Sequence, residues 1–446
     1  MDRKQILDSL KAEMIETLQK VLRFETVTTD ALPGMPFGKN NADCLAYVLK
    51  KGEEMGFKSY NCDNYAGHLD FAADDKNAEV FGVLGHLDVV PVTEGWIAPP
   101  FGGEIIDGKI YGRGTMDDKG PMIACLYAAK ALKMSGFRPR RTLRLIFGCD
   151  EENNMACIKY YKTKVKMPDL AISPDGDFPV INVEKGIYAM ELDVGKVSDA
   201  VLDISASRTN VVPDLCTALV DKSLDLKPLE KFNVEVKEAD GRIQLLTRGK
   251  STHGAMPHTG VNATWEMFRA LSACLPDDKT LAFVAEKMCR DVNGKAWGFP
   301  LEDEVSGKIT HSIGVVSLKN GNLKIKLDVR YPVTYKDSFV AEAMKKNSID
   351  SFKIEEGHIK QPLHVDADSP LVKGLLEVYN KEMSCDAKPI AIGGGTYSRM
   401  LPMCVAFGPS FPGDTQVIHE INEYVSIDRL MQMAHIYLEA FAKMCG

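Results

Sequence analysis

The sequence lacks the features that would indicate a membrane protein or a nucleic-acid-binding protein. No apolar run among its 446 residues approaches the roughly 18 residues of a membrane-spanning helix. Basic residues are fewer than acidic ones, 54 against 62, and no basic run with interleaved aromatic residues occurs. Because nucleic-acid binding depends on clustered Lys and Arg, we expect neither a nucleic acid nor a membrane as a partner.

Paired cysteine motifs and an export signal are also missing. The eleven cysteines are odd in number and include no C-x-x-C pair, so we interpret them as reduced thiols. Near the N-terminus, Asp8, Glu13 and Glu16 interrupt any apolar core of a signal peptide. Apolar residues recur there at helical spacing, which predicts an amphipathic helix within residues 1–27. We expect a cytoplasmic protein, either a monomer or a homodimer.

The composition that is present, 45% hydrophobic and 26% charged, is typical of a globular protein with two or three domains. In the first part of the chain, short apolar runs alternate with helical stretches, which predicts an α/β unit with a mixed, mostly parallel sheet. After Glu184 the pattern predicts an antiparallel sheet with two helices, and the first pattern resumes near the C-terminus. We therefore predict an α/β domain of residues 1–184 and 366–446, interrupted by an inserted α+β domain of residues 185–365.

The apolar pattern also locates individual elements. In the α/β domain the predicted strands and helices are 80–84, 122–134, 143–147, 170–173, 371–383 and 404–408. In the inserted domain the predicted strands are 188–194, 201–206, 232–236, 243–247 and 323–330, and the predicted helices are 264–275 and 281–289.

Acidic and imidazole side chains recur where the predicted elements of the α/β domain begin or end. Four segments carry them: Gly85–Asp88, Gly112–Asp118, Asp150–Glu152 and Pro174–Asp177. Because ligands bind beyond the carboxyl ends of strands in open α/β sheets, these segments should converge on one crevice. Carboxylates gathered there raise each other's pKa values unless a cation compensates. Two bound divalent metal ions would do so, and imidazole with carboxylate ligands favours zinc, with manganese or cobalt as alternatives.

Two of these segments suggest specific chemistry. His86 and Asp88 lie two apart on extended backbone and point the same way, so Asp88 can accept the second imidazole N–H. If Glu152 ligates a metal ion, Glu151 is free to take a proton from metal-bound water, whose pKa can fall to about 7. Each pattern alone is also common on solvated loops, so the prediction depends on their occurring together.

The adjacent aspartates Asp117 and Asp118 allow two interpretations. They follow two glycines and precede a predicted helix, which is typical of a simple turn. One of their carboxylates could instead bridge two metal ions. The spacing alone does not decide between these interpretations, or between the two aspartates.

These motifs resemble a di-zinc metallopeptidase family that includes succinyl-diaminopimelate desuccinylase, aminoacylase, tripeptidase and the Xaa-His, or carnosinase-type, dipeptidases. The bacterial dipeptidases are the most similar branch. The matching segments, spread over nearly the whole chain, are 85–91, 112–120, 150–152, 173–179 and 393–399. The resemblance implies a catalytic α/β domain, an inserted lid domain, and hydrolysis of the amide bond of short peptides.

The resemblance also implies a role for individual residues. It makes these five residues the ligands of the two metal ions: His86, Asp117, Glu152, Asp175 and His419. In this scheme Asp117 bridges both ions and is joined to Asp118 by a cis peptide bond. Asp88 supports His86, and Glu151 is the general base for a hydroxide that bridges the metals.

Further roles follow for the lid domain and for a glycine-rich loop. His253 would stabilise the oxyanion, with Asn210 as a second contributor from the lid. Arg330 would bind the free carboxylate of the substrate, and backbone N–H groups around Gly394 and Thr396 would approach the same group. Judged as isolated residues, His253 also fits a surface histidine and Arg330 an ordinary arginine at a strand end.

Two other functions stay open. A deacylase or carboxypeptidase of the same family would act on N-acyl amino acids, although the long insert favours a dipeptidase, since relatives of that type have long lids. A catalytically inactive relative would only bind peptides, and the retained Glu151 argues against it. The sequence departs from the family pattern at Asn153-Asn154, where relatives often carry a small residue and glycine, which affects the shape of that loop.

Overall fold

The computed structural model describes residues 2–207, 211–239 and 241–446. The chain forms two compact units. Unit 1 is made of Met1–Asn182, Val365–Ile390 and Thr396–Gly446, and unit 2 of Val183–His364 and Ala391–Gly395. The chain therefore leaves and re-enters unit 1 next to the predicted boundaries at 184/185 and 365/366. The short segment 391–395 differs from the prediction, since it packs with unit 2.

Unit 1 is built on a mixed sheet whose centre is parallel. Its four central strands, in order across the sheet, are Thr142–Gly148, Val80–His86, Leu170–Ser173 and Cys404–Ala406. Antiparallel neighbours extend it on both sides: Lys58–Cys62 and Ala66–Phe71 on one, Ile181–Glu184 on the other. The central strands are buried along most of their length, as expected for parallel strands covered on both faces. The predicted α/β class is confirmed.

Helices pack around this sheet. In chain order they are Arg3–Ser9, Lys11–Leu22, Lys39–Glu54, Lys119–Met134, Ala156–Lys164, Pro370–Met383 and Ile427–Cys445. The predicted N-terminal helix is thus two helices that meet at Leu10. Lys119–Met134 and Ile427–Cys445 pack on each other and on the sheet. Within the described ranges, no helix has the length and apolar character needed to cross a membrane.

Short strands at the edge of unit 1 bring distant loops together. Glu104–Ile106, Lys109–Tyr111 and Tyr424–Ser426 form a small antiparallel sheet. Gly176–Asp177 pairs in parallel with Pro409–Ser410. A short 3-10 helix, Tyr397–Met400, lies near the central strands. The pairing of Tyr424–Ser426 with Lys109–Tyr111 places the loop after Tyr111 beside the loop before Tyr424.

Unit 2 contains an antiparallel sheet, which confirms the predicted α+β insert. The strands, in order across the sheet, are Glu235–Ala239, Arg242–Arg248, Leu215–Val220, Val201–Ser207, Thr310–Lys319, Asn322–Tyr331, Gly186–Lys196 and Lys353–Lys360. The other helical elements are Ala263–Cys274, Lys279–Phe283 and Asp337–Lys346, a π-helical turn Val284–Met288, and 3-10 turns Lys227–Lys231 and Pro257–Thr259. The short strands are Glu302–Asp303, Gly307–Lys308, Leu363–His364 and the part of Ile390–Ile392 that follows Ile390. Burial alternates along Gly186–Lys196, because one face of the sheet packs on the core that includes Met267, Phe268 and Leu271.

Candidate metal centre

His86 ends a central strand of unit 1 and is completely buried. Its Nε2 lies 2.9 Å from Asp117 Oδ1. Its Nδ1 lies 3.0 Å from the backbone carbonyl oxygen of Asp88 and 3.6 Å from the Asp88 carboxylate, so the carbonyl is the nearer acceptor. A proton on Nδ1 satisfies that acceptor and leaves the Nε2 lone pair directed at the acidic cluster, as a metal ligand requires.

The Asp88 carboxylate has other partners. Its two oxygens accept the backbone N–H groups of Glu151 and Glu152, each at 3.1 Å. Asp88 is fully buried. It therefore fixes the turn that carries the two glutamates relative to the strand that carries His86, which differs from the predicted contact of its carboxylate with the imidazole.

Asp117 faces two imidazoles. One carboxylate oxygen lies near His86, and the other lies 2.8 Å from Nε2 of His419, which also lies 3.2 Å from Glu152 Oε1. The bond between Asp117 and Asp118 is cis, as the resemblance implied. Asp118 turns away and accepts the backbone N–H of His86 at 3.1 Å. Of the two aspartates, only Asp117 presents its carboxylate to both histidines.

The remaining predicted ligands complete two overlapping groups. The ligand atoms of His86, Glu151 and Asp175 lie within 4.8 Å of one another, and so do those of His86, Asp117 and Glu152. Imidazole and carboxylate donors at this spacing suit a borderline or hard divalent cation. The side chains therefore fit the metal ions that the sequence predicted, and the predicted base Glu151 belongs to the same cluster.

The pKa values in this cluster show how unfavourable its carboxylate charges are without a cation. Burial raises the pKa of Glu151 to about 8, and the nearby charge of Glu152 adds to the rise. Burial likewise raises the pKa of Asp175 well above its usual range, with the Asp117 charge as the next cause. Hydrogen bonds to Asp117 and Glu152 raise the pKa of His419 to about 11. A cluster that holds protons in this way binds a dication by exchanging protons for metal.

Arg330, in unit 2, is almost completely buried and already has partners. Its Nε and Nη2 donate to the Asp328 carboxylate at 2.6 and 2.7 Å, and its Nη1 donates to the Gly393 carbonyl at 3.0 Å. A guanidinium has five N–H donors, so these bonds leave two for a further acceptor. The bonds to Asp328 hold the guanidinium in one orientation.

His253, the other predicted lid residue that the structure describes, is exposed. The backbone N–H of Ala255 donates to His253 Nδ1 at 3.2 Å, which makes Nδ1 an acceptor and places the ring proton on Nε2. The imidazole can then donate from Nε2. Asn210 lies outside the described residues.

The glycine-rich loop is divided between the units. Gly393 and Gly394 are half-buried and belong to unit 2, whereas Thr396 is buried and belongs to unit 1. Thr396 Oγ1 accepts the N–H of Ser398 at 3.1 Å and so caps the short helix Tyr397–Met400. The side chain of Thr396 therefore caps this helix, and the predicted contact of its backbone N–H with the substrate stays a prediction.

Two buried residues that sequence reasoning missed hold this site together. Glu423 contacts the loop that carries Asp117, and Arg113 pairs with Glu423. An Arg–Glu pair separated by 310 positions leaves no local pattern in a single sequence. The only available signal was that each lies within a few residues of a predicted ligand.

Known proteins similar to this chain carry peptidase names. The model of the family described as "Peptidase family M20/M25/M40" matches residues 82–443. The Bacillus subtilis (strain 168) protein "Putative dipeptidase YtjP" is 36% identical over 452 residues, covering 96% of each chain. The structure of human carnosine dipeptidase 1 matches with a TM-score of 0.62 at 14% identity, covering 99% of this chain and 98% of that chain. Aminoacylhistidine dipeptidase from Vibrio alginolyticus matches with a TM-score of 0.57 at 14% identity, covering 97% and 96%. At these identities the two structures show a common fold alone.

Proposed function

The chain belongs to the peptidase family M20/M25/M40, and from that premise we propose that this peptidase is a metal-dependent dipeptidase acting on short unblocked peptides. The observation that carries the proposal is the cluster in which buried Asp117 lies between His86, also buried, and His419, whose side chain is 51% exposed. Glu151, Glu152 and Asp175 complete it. Carboxylates gathered this closely, with Asp117 buried and the others half-buried, are costly unless cations are bound among them.

The metal ligands in this proposal are His86, Asp117, Glu152, Asp175 and His419, holding two divalent ions. When bound, these ions would lower the pKa of a water molecule towards neutrality and polarise the amide carbonyl. The donor set favours zinc, with manganese or cobalt as alternatives.

The chain's own residues would handle protons and charge. Glu151 would take a proton from the attacking water and deliver it to the leaving amine, which requires its carboxylate form. Cations beside Glu151 would favour that form, because they oppose the burial that raises its pKa. His253 would donate from Nε2 to the oxyanion, and Arg330 would use its two remaining N–H groups for the free carboxylate of the peptide.

The cellular setting is also part of the proposal. All eleven cysteines are free, and those buried are shielded from oxidants. Reduced thiols are typical of the cytoplasm, where we place the protein. It would act there as a monomer or a homodimer.

A substrate panel tests the dipeptidase assignment against the deacylase alternative. We expect hydrolysis of free dipeptides to exceed that of the same peptides with an acetylated N-terminus by at least tenfold in kcat/KM. The purified protein, supplied with zinc or manganese, would be assayed on both sets. Preferential cleavage of N-acyl amino acids would establish a deacylase, and tight peptide binding without cleavage would indicate an inactive relative.

Replacing Arg330 by lysine tests its contact with the substrate. The variant keeps the positive charge but loses the planar guanidinium group with its paired N–H donors. One charged hydrogen bond worth about 1.5–3 kcal/mol is therefore expected to be lost. KM for a free dipeptide should rise roughly 10–100-fold, while KM for the matching dipeptide amide, which has no carboxylate, should change little.

The matched control is Arg144→Lys. Arg144 also forms a two-bond pair with an aspartate, Asp70, at 2.8 Å for each bond, and has no predicted role in binding. This variant should leave KM unchanged for both substrates. An equal rise in KM for the free peptide and the amide in Arg330→Lys would show that Arg330 does not recognise the carboxylate.

A further inference from the structure

Glu423 is a completely buried glutamate that gathers donors from one loop. Its Oε1 accepts the backbone N–H groups of Gly114, Met116 and Asp117 at 3.1, 2.9 and 3.3 Å. Its Oε2 accepts Nη1 of Arg113 at 2.7 Å. The Glu423 carboxylate thereby fixes the backbone of Asp117, the predicted bridging ligand, and the backbone of the residues just before it.

The backbone around Glu423 is tied to the same loop. Its carbonyl oxygen accepts the N–H of Gly112 at 3.0 Å. The following strand, Tyr424–Ser426, pairs with Lys109–Tyr111. Arg113 reaches further and donates to the carbonyl oxygen of His419 at 3.4 Å. The loops that carry Asp117 and His419 are thus held together from both sides, although they are far apart in the sequence.

Asn422, next to Glu423, provides a second anchor for the His419 segment. Asn422 Oδ1 accepts the backbone N–H of Ile97 at 2.7 Å. His419 and Asn422 both have positive φ angles, 64° and 62°. Backbone in this left-handed region is costly for residues other than glycine and persists where surrounding contacts fix it. The contacts of Asn422 and Glu423 are such contacts.

We propose that Glu423, with Arg113 as its partner, is a positioning residue that sets the spacing of the Asp117 carboxylate and the His419 imidazole. It therefore sets the affinity for the metal ion that these two side chains share. The inference rests on the proposed function, because it takes Asp117 and His419 as ligands. Glu423 itself contacts neither substrate nor metal. Groups that orient metal ligands in this way commonly change metal affinity by about 10–100-fold when they are replaced.

The test is zinc binding by Glu423→Gln. The amide oxygen can still accept backbone N–H groups, but the negative charge that pairs with Arg113 is lost. We expect at least one of the two zinc dissociation constants to rise about 10–100-fold, measured on the metal-free full-length chain by competition with a chromophoric chelator. Excess zinc should restore part of kcat, which a general loss of folding would not allow.

Two further variants separate positioning from folding. Glu439→Gln breaks another Arg–Glu pair, a partly exposed one with Arg3 at 2.6 and 2.7 Å; Glu439 lies on the C-terminal helix, outside the predicted ligand set, and its replacement should leave zinc affinity unchanged. If Glu423→Gln fails to fold because Arg113 is left buried without its counter-charge, the double variant Arg113→Gln/Glu423→Gln removes both charges and decides the question.

The outcomes distinguish this inference from the proposed function. Weakened zinc binding in Glu423→Gln or in the double variant, with Glu439→Gln unchanged, supports the positioning role. Zinc affinity equal to that of the unmodified protein in a folded Glu423 variant overturns it. If the unmodified protein binds no zinc or hydrolyses no dipeptide, the proposed function itself fails.

Discussion

Replacing Glu151 by glutamine is expected to lower kcat for a dipeptide by about two to four orders of magnitude, the usual contribution of a general base. An amide of the same size cannot accept the proton from the attacking water. Glutamine keeps the size of the side chain in a group where the ligand atoms of Glu151, His86 and Asp175 lie within 4.8 Å of one another, so the fold should be retained. Steady-state kinetics and metal analysis of the same preparation would measure both properties.

Glu152→Gln is the matched comparison for this variant. The two residues are adjacent, and both backbone N–H groups donate to Asp88. Glu152 is a predicted ligand, whereas Glu151 is the predicted base. Glu152→Gln should therefore lose metal together with turnover, and Glu151→Gln should lose turnover while it keeps two metal ions. Near-normal turnover in Glu151→Gln would exclude Glu151 as the base.

Replacing Asp117 by asparagine is expected to remove the metal centre more completely than any other single change. Its carboxylate lies 2.9 Å from one imidazole and 2.8 Å from the other, so both predicted metal positions share it. We expect bound zinc to fall from two ions to one or fewer, and hydrolysis to fall to background. Metal content after gel filtration and activity in zinc-supplemented buffer would be measured together.

Asp177→Asn provides the control for the Asp117 variant. Asp177 is a half-buried aspartate in a neighbouring segment, outside the predicted ligand set, and its carboxyl group interacts with Ser410. This variant should keep both zinc ions and most of the activity. Two tightly bound zinc ions in Asp117→Asn would show that Asp117 does not bridge the metals.

The elements with a clear apolar pattern were predictable. The run 170–173 corresponds to the strand Leu170–Ser173, and the run 80–84 corresponds to Val80–His86. The strand Val80–His86 is longer than its apolar run, because His86 continues the strand into the site. In unit 2, Leu215–Val220, Thr310–Lys319 and Lys353–Lys360 were missed.

Two of the three missed strands do not begin with an apolar run. Lys353–Lys360 is an edge strand with mostly exposed polar residues, and Thr310–Lys319 begins with buried Thr310 and His311 instead of an apolar run. The predicted strand 232–236 in fact begins at Glu235, after the turn that ends near Phe232. Pairing with neighbouring strands decides such segments, and a single sequence does not show that pairing.

The site residues also divide into those that a local sequence pattern predicts and those that it does not. His86, Asp117, Glu152 and Asp175 occur in local motifs at strand ends, where the rule for open α/β sheets predicted their convergence. His419 has no such local signal and came only from the resemblance. Residue types also did not show that the Asp88 carboxylate would accept the two glutamate N–H groups, because that bond depends on the conformation of the turn.

We propose that two dications bound in this cluster are required for peptide hydrolysis. The most direct measurement titrates chelator-treated, metal-free protein with zinc, and counts bound zinc and follows dipeptide hydrolysis in the same samples. We expect negligible hydrolysis without metal and a rise in the rate that reaches its maximum at two ions per chain. Full hydrolysis by the metal-free protein, or no gain in activity as two ions bind, would contradict it.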